Sequence, residues 1–389
     1  MSIDNCDFCD RSDVLPEPNF PVRPDEFVGR QRQIEIFCQA LQQGLQAGRT
    51  ASFAILGDWG IGKSSLLLKF AALCSQSSFA ILPVFISASS DVRDYLRLAE
   101  NLLDKFTDAL LAVPSLQARL RVELRDWRFK RINLGGVGLE RESPRLFLSS
   151  GSSLLRHKLK EAWDHFLPPA RLNGAIFFLD DLQNITSINK ADLALTIRDQ
   201  FQSLGIESMN YSVCFSARPD YFAETKGLAD PAVRFYTKFY LEPFALDETL
   251  DYAHSVFDLS LDTSMTVAAW LHEKTLGHPY FLAFVCKYLA TRAGQIQPEK
   301  LEPIWPAIFD QLGREKFRSD VSQLSVREFE FIHKLANLSE SELATQHYTS
   351  KFRREYFARL VEKGLLIRTG RGRYKLYHHL FREFLQQTE

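Results

Sequence analysis

Four apolar residues, Phe53-Ala54-Ile55-Leu56, run into Gly57-Asp58-Trp59-Gly60-Ile61-Gly62-Lys63-Ser64-Ser65, and an apolar helix-forming stretch, Leu66 to Leu73, follows at once. From Gly57 to Ser64 this fits G-x-x-x-x-G-K-[ST], a pattern that commits a chain to a strand, a tight loop and a helix in succession. The glycines let the backbone curl so that consecutive N–H groups, from Gly57 through Gly60, Ile61 and Gly62 to Ser65, turn inward on phosphate oxygens. Lys63 supplies a point charge for the β- and γ-phosphates, and the Ser64 hydroxyl is a ligand for Mg²⁺. The helix aims the positive end of its dipole at the same phosphates. A Gly-rich turn that happens to carry a lysine is the plain alternative, and the apolar strand before and helix after argue against it. The pattern implies a nucleoside triphosphate site.

A chain of 389 residues has room for two or three domains with sizeable cores. Its net charge of −1 does not announce a nucleic-acid partner, so any cationic surface must be local. Cys38, Cys74, Cys214 and Cys286 lie in apolar contexts that suit buried free thiols in a reducing compartment. Cys6 and Cys9 form C-x-x-C in a polar segment, either half of a zinc site completed elsewhere or part of a disordered tail. No secretory pattern opens the chain and no apolar run approaches the length of a membrane span. The expectation is a cytoplasmic protein with no membrane partner. The 31 phenylalanines carry no functional signal that the sequence alone reveals.

Further along, Phe79 to Ser87 is rich in β-branched and aromatic residues and reads as a second buried strand, which makes a right-handed parallel strand–helix–strand unit. Residues 91–130 read as helical. Ile132-Asn-Leu-Gly-Gly-Val-Gly-Leu-Glu140 alternates around a glycine pair and suggests an inserted hairpin. Ala175-Ile-Phe-Phe-Leu-Asp180-Asp181 is a third strand ending in carboxylates, and Tyr211-Ser-Val-Cys-Phe-Ser-Ala-Arg218 a fourth ending in arginine. A largely helical stretch spans about 246–316. Short helices, a two-stranded hairpin over Leu365–Tyr377 and a last helix then describe a winged-helix domain.

Asp180, at a strand end in the ligand crevice of a parallel sheet, can hold the Mg²⁺ shell. Asp181 is then placed to act as general base on an attacking water. A solvated Asp-Asp turn is the alternative. Arg218 closes its strand where a side chain can sense the γ-phosphate, or else is a surface arginine before Pro219.

The ordered set Phe27-Val28-Gly29-Arg30, the phosphate loop, Phe177-Phe178-Leu179-Asp180-Asp181, Ser216-Ala217-Arg218, Leu241-Glu242-Pro243-Phe244, Gly277-His278-Pro279 and the terminal winged helix resembles the AAA+/STAND group of P-loop ATPases. Within it the chain is most similar to archaeal-type ATPases and origin-recognition-family initiators. The resemblance implies an α/β fold, a parallel sheet sandwiched by helices at 21–240 with an insertion at about 91–150. A flexible tail at 1–20 precedes it, and a helical lid at 241–318 and a winged helix at 319–389 follow. It also implies that Val28 and Gly29 border the adenine, that Arg218 is the sensor-1 arginine, and that Pro279 packs near the base. His378, in Tyr377-His378-His379-Leu380, matches the histidine of an M-H-D-like motif that contacts bound ADP. Asp-Asp, where AAA+ motors usually carry Asp-Glu, suggests slow turnover. No ring-type arginine finger is evident.

Between Lys351 and Arg382 ten Lys/Arg face two glutamates, a local excess of eight positive charges. Arg353 and Arg354 lie on a candidate recognition helix, and Arg368, Arg371, Arg373 and Lys375 on the wing, the footprint of a duplex-DNA reader. Tyr374 and Tyr377 are candidates for backbone hydrogen bonds there. Two alternatives stand beside this: a regulatory surface of a signalling or defence switch whose partner is a protein effector or a second copy of the chain, and a plain solvated face.

Overall fold

The computed structural model describes residues 17–388 apart from 77, 90, 135–143, 223–229, 258, 293–295, 339–342 and 345–350. The Cys6–Cys9 pair lies outside them. By contacts the chain divides into two units. One comprises Pro21–Gly57 and Ile61–Glu242; the other comprises Pro243–Glu389 with Asp58–Gly60 and the N-terminal segment ending at Phe20.

The first unit runs α1 (Gln31–Ala47), β1 (Ser52–Leu56), α2 (Lys63–Cys74), β2 (Ile81–Ser87), α3 (Tyr95–Ala112), α4 (Ala118–Leu134) and α5 (Pro144–His165). It continues with β3 (Gly174–Asp180), a 3-10 turn (Leu182–Asn184), α6 (Lys190–Ile206), β4 (Tyr211–Ala217), α7 (Asp230–Phe235) and β5 (Tyr236–Tyr240). The strands form one parallel sheet in the order β2-β3-β4-β1-β5. Side chains alternate between its faces. On β3, Phe177 and Leu179 join the core that α3, α5 and α6 cover, whereas Ile176 and Phe178 join the core under α1 and α2. Phe37 of α1 stacks on Phe70 of α2 with centroids 3.9 Å apart. Each fully buried phenylalanine contributes roughly 2–3 kcal/mol of burial. Core filling thus accounts for many of the phenylalanines.

Two sequence expectations change here. Ile132–Leu134 complete α4 rather than open a hairpin, and the rest of that stretch lies outside the described residues. A fifth strand, β5, borders the sheet beside β1; Lys238 and the exposed Tyr240 interrupt the apolar run that would have marked it.

The second unit begins with α8 (Leu246–Val256), α9 (Leu261–Thr275), α10 (Pro279–Arg292) and α11 (Pro298–Leu312). A π-helical turn (Gly313–Phe317) carries α11 into α12 (Arg318–Ser322), and the expected boundary near 318 falls within this run. Then follow α13 (Val326–Ala336), β6 (Leu343–Ala344), α14 (Lys351–Glu362), β7 (Leu366–Gly370), β8 (Arg373–Leu376) and α15 (His379–Gln387). β8 lies between β6 and β7, antiparallel to both. A single core links Phe281, Phe309 and Phe317 to Phe357, Leu360 and Phe381. Among the described residues no helix is long and apolar enough to cross a membrane.

Candidate nucleotide-binding site

The loop after β1 turns through Gly60 (φ +70°) and Gly62 (φ +92°), and Gly62 is the residue before α2. A Cβ built on Gly62 meets nothing within 4 Å, so open space lies where α2 begins. The first N–H groups of a helix have no partner within it. Here they belong to Lys63, Ser64 and Ser65. Lys63 is the first residue of α2 and only 9% exposed. Open space beside the first backbone donors of a helix, on a loop that carries a lysine, fits a phosphate.

The preceding segment is tied onto this helix. The Val22 N–H donates to Ser65 Oγ (3.1 Å) and Lys69 Nζ to the Pro24 carbonyl (2.7 Å). Buried Arg30 donates to the carbonyls of Ile61 (3.3 Å) and Glu242 (2.6 Å). Val28 and Gly29, both half-buried, thereby sit on a segment fixed to the loop. Ser65 spends its hydroxyl on this tie. No local pattern marked Arg30 as the clasp, because its partners are 31 and 212 residues away in sequence.

Strand order decides the rest. β4 lies between β1 and β3, and the registers Leu56↔Ala217 and Leu179↔Phe215 bring the C-terminal ends of the three strands level. Gly57, Arg218 and Asp180 follow or end adjacent strands. Ser216 Oγ donates to Asp180 Oδ1 at 2.5 Å and accepts the Asp181 N–H at 2.7 Å. Its single proton is therefore assigned to the carboxylate. Gln183 Nε2 donates to Asp181 Oδ1 at 2.9 Å. The sequence reading assigns Ser216 no role beyond its place before Arg218 in a motif, and does not single out Gln183. Arg218 lies 3.5 Å from Asp220, each side chain about one-third exposed. Such a pair is worth under about 1 kcal/mol and yields readily to a phosphate.

In the second unit, Gly277 (φ +69°) and left-handed Leu276 stop α9, and Pro279 opens α10. Asp58–Gly60 belong to this unit. The Tyr280 N–H donates to the Gly60 carbonyl (3.2 Å), and a ring nitrogen of His278 lies 3.1 Å from the Trp59 carbonyl.

His378 is buried with both ring nitrogens engaged. Nδ1 accepts the Leu380 N–H (3.2 Å) and caps α15, which leaves Nε2 to donate to the Thr275 carbonyl (2.9 Å). A contact with nucleotide would require one of these bonds to break. Burial, followed by His379, His278 and Lys375, pushes its pKa down to about 2 from the ordinary 6.5. A depressed pKa means that the unfolded chain binds the proton first. The stability is present in full above about pH 6.5 and is lost progressively below it. By pH 5 the loss from this one residue is about 2 kcal/mol. Thermal melts across that range are expected to show the loss, and His378→Asn, which retains a capping side chain, is expected to flatten it.

The basic segment divides between exposed and spent cations. Arg368, Arg371, Arg373 and Lys375 are exposed on or between β7 and β8. Lys363 instead pairs with buried Glu328 (2.9 Å), whose carboxyl the Ser325 N–H and Lys363 pull down to about 2. Arg382 donates to the carbonyls of Ala336 and Leu338. The Tyr377 hydroxyl donates to Asp320 (2.7 Å), so the expectation that it contacts a nucleic-acid backbone is corrected. The side chains of Arg353 and Arg354, on α14, lie outside the described set.

Residues 26–206 match the AAA ATPase domain family. No curated protein matches the sequence. Among solved structures the chain is similar to a Walker-type ATPase of Pyrococcus abyssi, at 13% identity over 94% of this chain and 98% of that one, with a TM-score of 0.55. It is also similar to the ORC2 protein of Aeropyrum pernix, at 11% identity over 95% and 96%, with a TM-score of 0.55. At such identities the likeness speaks for the fold. The domain match, the phosphate loop and the strand order together make residues 26–206 an AAA ATPase domain, in a chain whose fold is that of the Walker-type ATPase and the ORC2 protein.

Proposed function

We propose that the chain is a slow, nucleotide-dependent switch whose C-terminal α13–α15 region is a winged helix that binds duplex DNA. The observation that carries the DNA reading is the set of four exposed cations, Arg368, Arg371, Arg373 and Lys375, on one hairpin, while Lys363 and Arg382 nearby are turned into the fold. The Aeropyrum pernix ORC2 protein, which has this fold, is known in ADPNP–ADP complexes, in keeping with ATP and ADP as the ligands here.

In this reading the N–H groups of the loop and Lys63 hold the β- and γ-phosphates, and Arg218 leaves Asp220 to meet the γ-phosphate. Ser64 and Asp180 offer one hydroxyl and one carboxylate. That all-oxygen donor set fits Mg²⁺, which takes few protein ligands and completes its shell with phosphate and water. When bound, the ion withdraws charge from the β- and γ-oxygens. Asp181 takes a proton from a water as its oxygen bonds to the γ-phosphorus and the bond to the β–γ bridging oxygen breaks. ADP and inorganic phosphate result, and the proton passes on to solvent. The short reach of an aspartate at this position supports slow turnover. Val28 and Gly29 are assigned to the base by resemblance.

Fluorescence anisotropy with a labelled duplex tests the DNA reading. Wild-type affinity is expected to fall steeply between about 50 and 200 mM salt. The triple variant Arg368→Glu, Arg371→Glu, Arg373→Glu is expected to lose at least about tenfold in affinity and to flatten the log–log salt slope by roughly three. Unchanged affinity removes the hairpin as a contact. Absence of DNA binding together with ATP-dependent self-association would favour a switch that acts on protein.

A further inference from the structure

We propose that Gln183 is a positioning residue that sets the Asp181 carboxylate for proton abstraction; the inference rests on Asp181 being the general base. Asp181 stands at the N-cap of the Leu182–Asn184 turn, yet its side chain makes no capping bond. An aspartate there ordinarily accepts a backbone N–H of that turn. Here the carboxylate is diverted to Gln183 Nε2, 2.9 Å away. The backbone of Asp181 is left-handed (φ 55°, ψ 51°), disfavoured for a residue with a Cβ. Two bonds hold it so: its N–H donates to Ser216 Oγ (2.7 Å), and its carbonyl accepts the Asn184 N–H (2.9 Å). Leu182 and Ile185, each 1% exposed, anchor the turn on both sides of Gln183.

The other half of the Gln183 amide is informative. A carboxylate only accepts, so the nitrogen must face Asp181 and the oxygen must point away. That oxygen, Oε1, is buried and has no partner among the described residues. A buried acceptor without a donor lowers stability by about as much as the charge-assisted bond to Asp181 raises it, so folding gains little from the glutamine. Stability therefore does not explain the glutamine. Orientation does: the bond to Oδ1 fixes the carboxylate plane and leaves Oδ2 to take the proton. Ser216 treats Asp180 in the same way, occupying its Oδ1.

The test uses the full chain with three variants, Gln183→Leu, Gln183→Glu and Asp181→Asn. The measurements are steady-state ATP hydrolysis, titration with ATP and ADP, and thermal melting. Gln183→Leu removes the donor at similar volume, and Gln183→Glu replaces it with a repelling acceptor. For both, kcat is expected to fall about ten- to hundredfold with nucleotide affinity held within about twofold. The melting temperature of Gln183→Leu is expected to be unchanged or raised. If Asp181→Asn is inactive while both Gln183 variants keep wild-type kcat, the inference is overturned and the base assignment stands. If Asp181→Asn itself keeps wild-type kcat, the base assignment falls and takes the inference with it. A joint fall of kcat, affinity and melting temperature in both Gln183 variants would make the residue structural and overturn the proposal.

Discussion

Replacing Lys63 with alanine is expected to lower ATP affinity by about 100-fold or more, below detection in an ordinary calorimetric titration. Lys63 is nine-tenths buried at the start of α2, next in the chain to the open space at Gly62. Water screens a charge poorly in such a place. A charge-assisted bond to phosphate is worth about 3 kcal/mol there, and each 1.4 kcal/mol is a factor of ten. ADP is expected to lose less than ATP, because the lysine serves the γ-phosphate as well as the β. The melting temperature measured without nucleotide separates a lost site from a lost fold. Wild-type affinity in a folded variant would refute the site.

The largest expected effect on stability lies elsewhere, at Gly277. Its φ of +69° is left-handed, and a Cβ built there stands 2.0 Å from the Phe244 carbonyl oxygen. The contact cannot relax locally, because the Phe244 N–H donates to the Gly277 carbonyl at 2.8 Å and holds the two segments together. Gly277→Ala is expected to cost about 3 kcal/mol or more, from the backbone conformation and the clash together. For a unit of this size that is a fall of roughly 10 °C in its melting transition. Calorimetry reads it directly, and a transition within about 2 °C of wild type would show that the turn opens without cost. Gly277 entered the sequence reading as part of a family motif; its close approach to Phe244 is the stronger constraint.

The contrast between these two glycine-containing segments shows what was legible in the sequence. The phosphate loop announces itself because all its parts lie within a dozen consecutive residues. The first four strands were equally readable, since each is a short apolar run, and so were the carboxylates and the arginine at the ends of two of them. β5 was not, because a strand at the border of the sheet carries Lys238 and an exposed Tyr240 in place of a continuous apolar run. The hairpin expected from Ile132 failed for a related reason. Alternation over a few residues is a weak signal, and α4 extends through Leu134. The basic segment was counted correctly but not sorted. Nothing in its local composition separates Lys363, committed to Glu328, from Arg368, which faces solvent.

The kind of loop, its glycines, its lysine and the carboxyl pair are all written locally in the chain. These depend on backbone conformations and strand ends that neighbouring residues specify. Long-range packing sets β4 between β1 and β3, so that Ser216 reaches both Asp180 and Asp181 across 36 and 35 residues of chain. The same packing makes Arg30 clasp the loop, occupies both nitrogens of His378 and sets which cations remain outside. The physical reason is the same in each case. A hydrogen bond between distant residues is fixed by strand order and helix packing, which the whole core settles at once, and no short window of sequence contains that information.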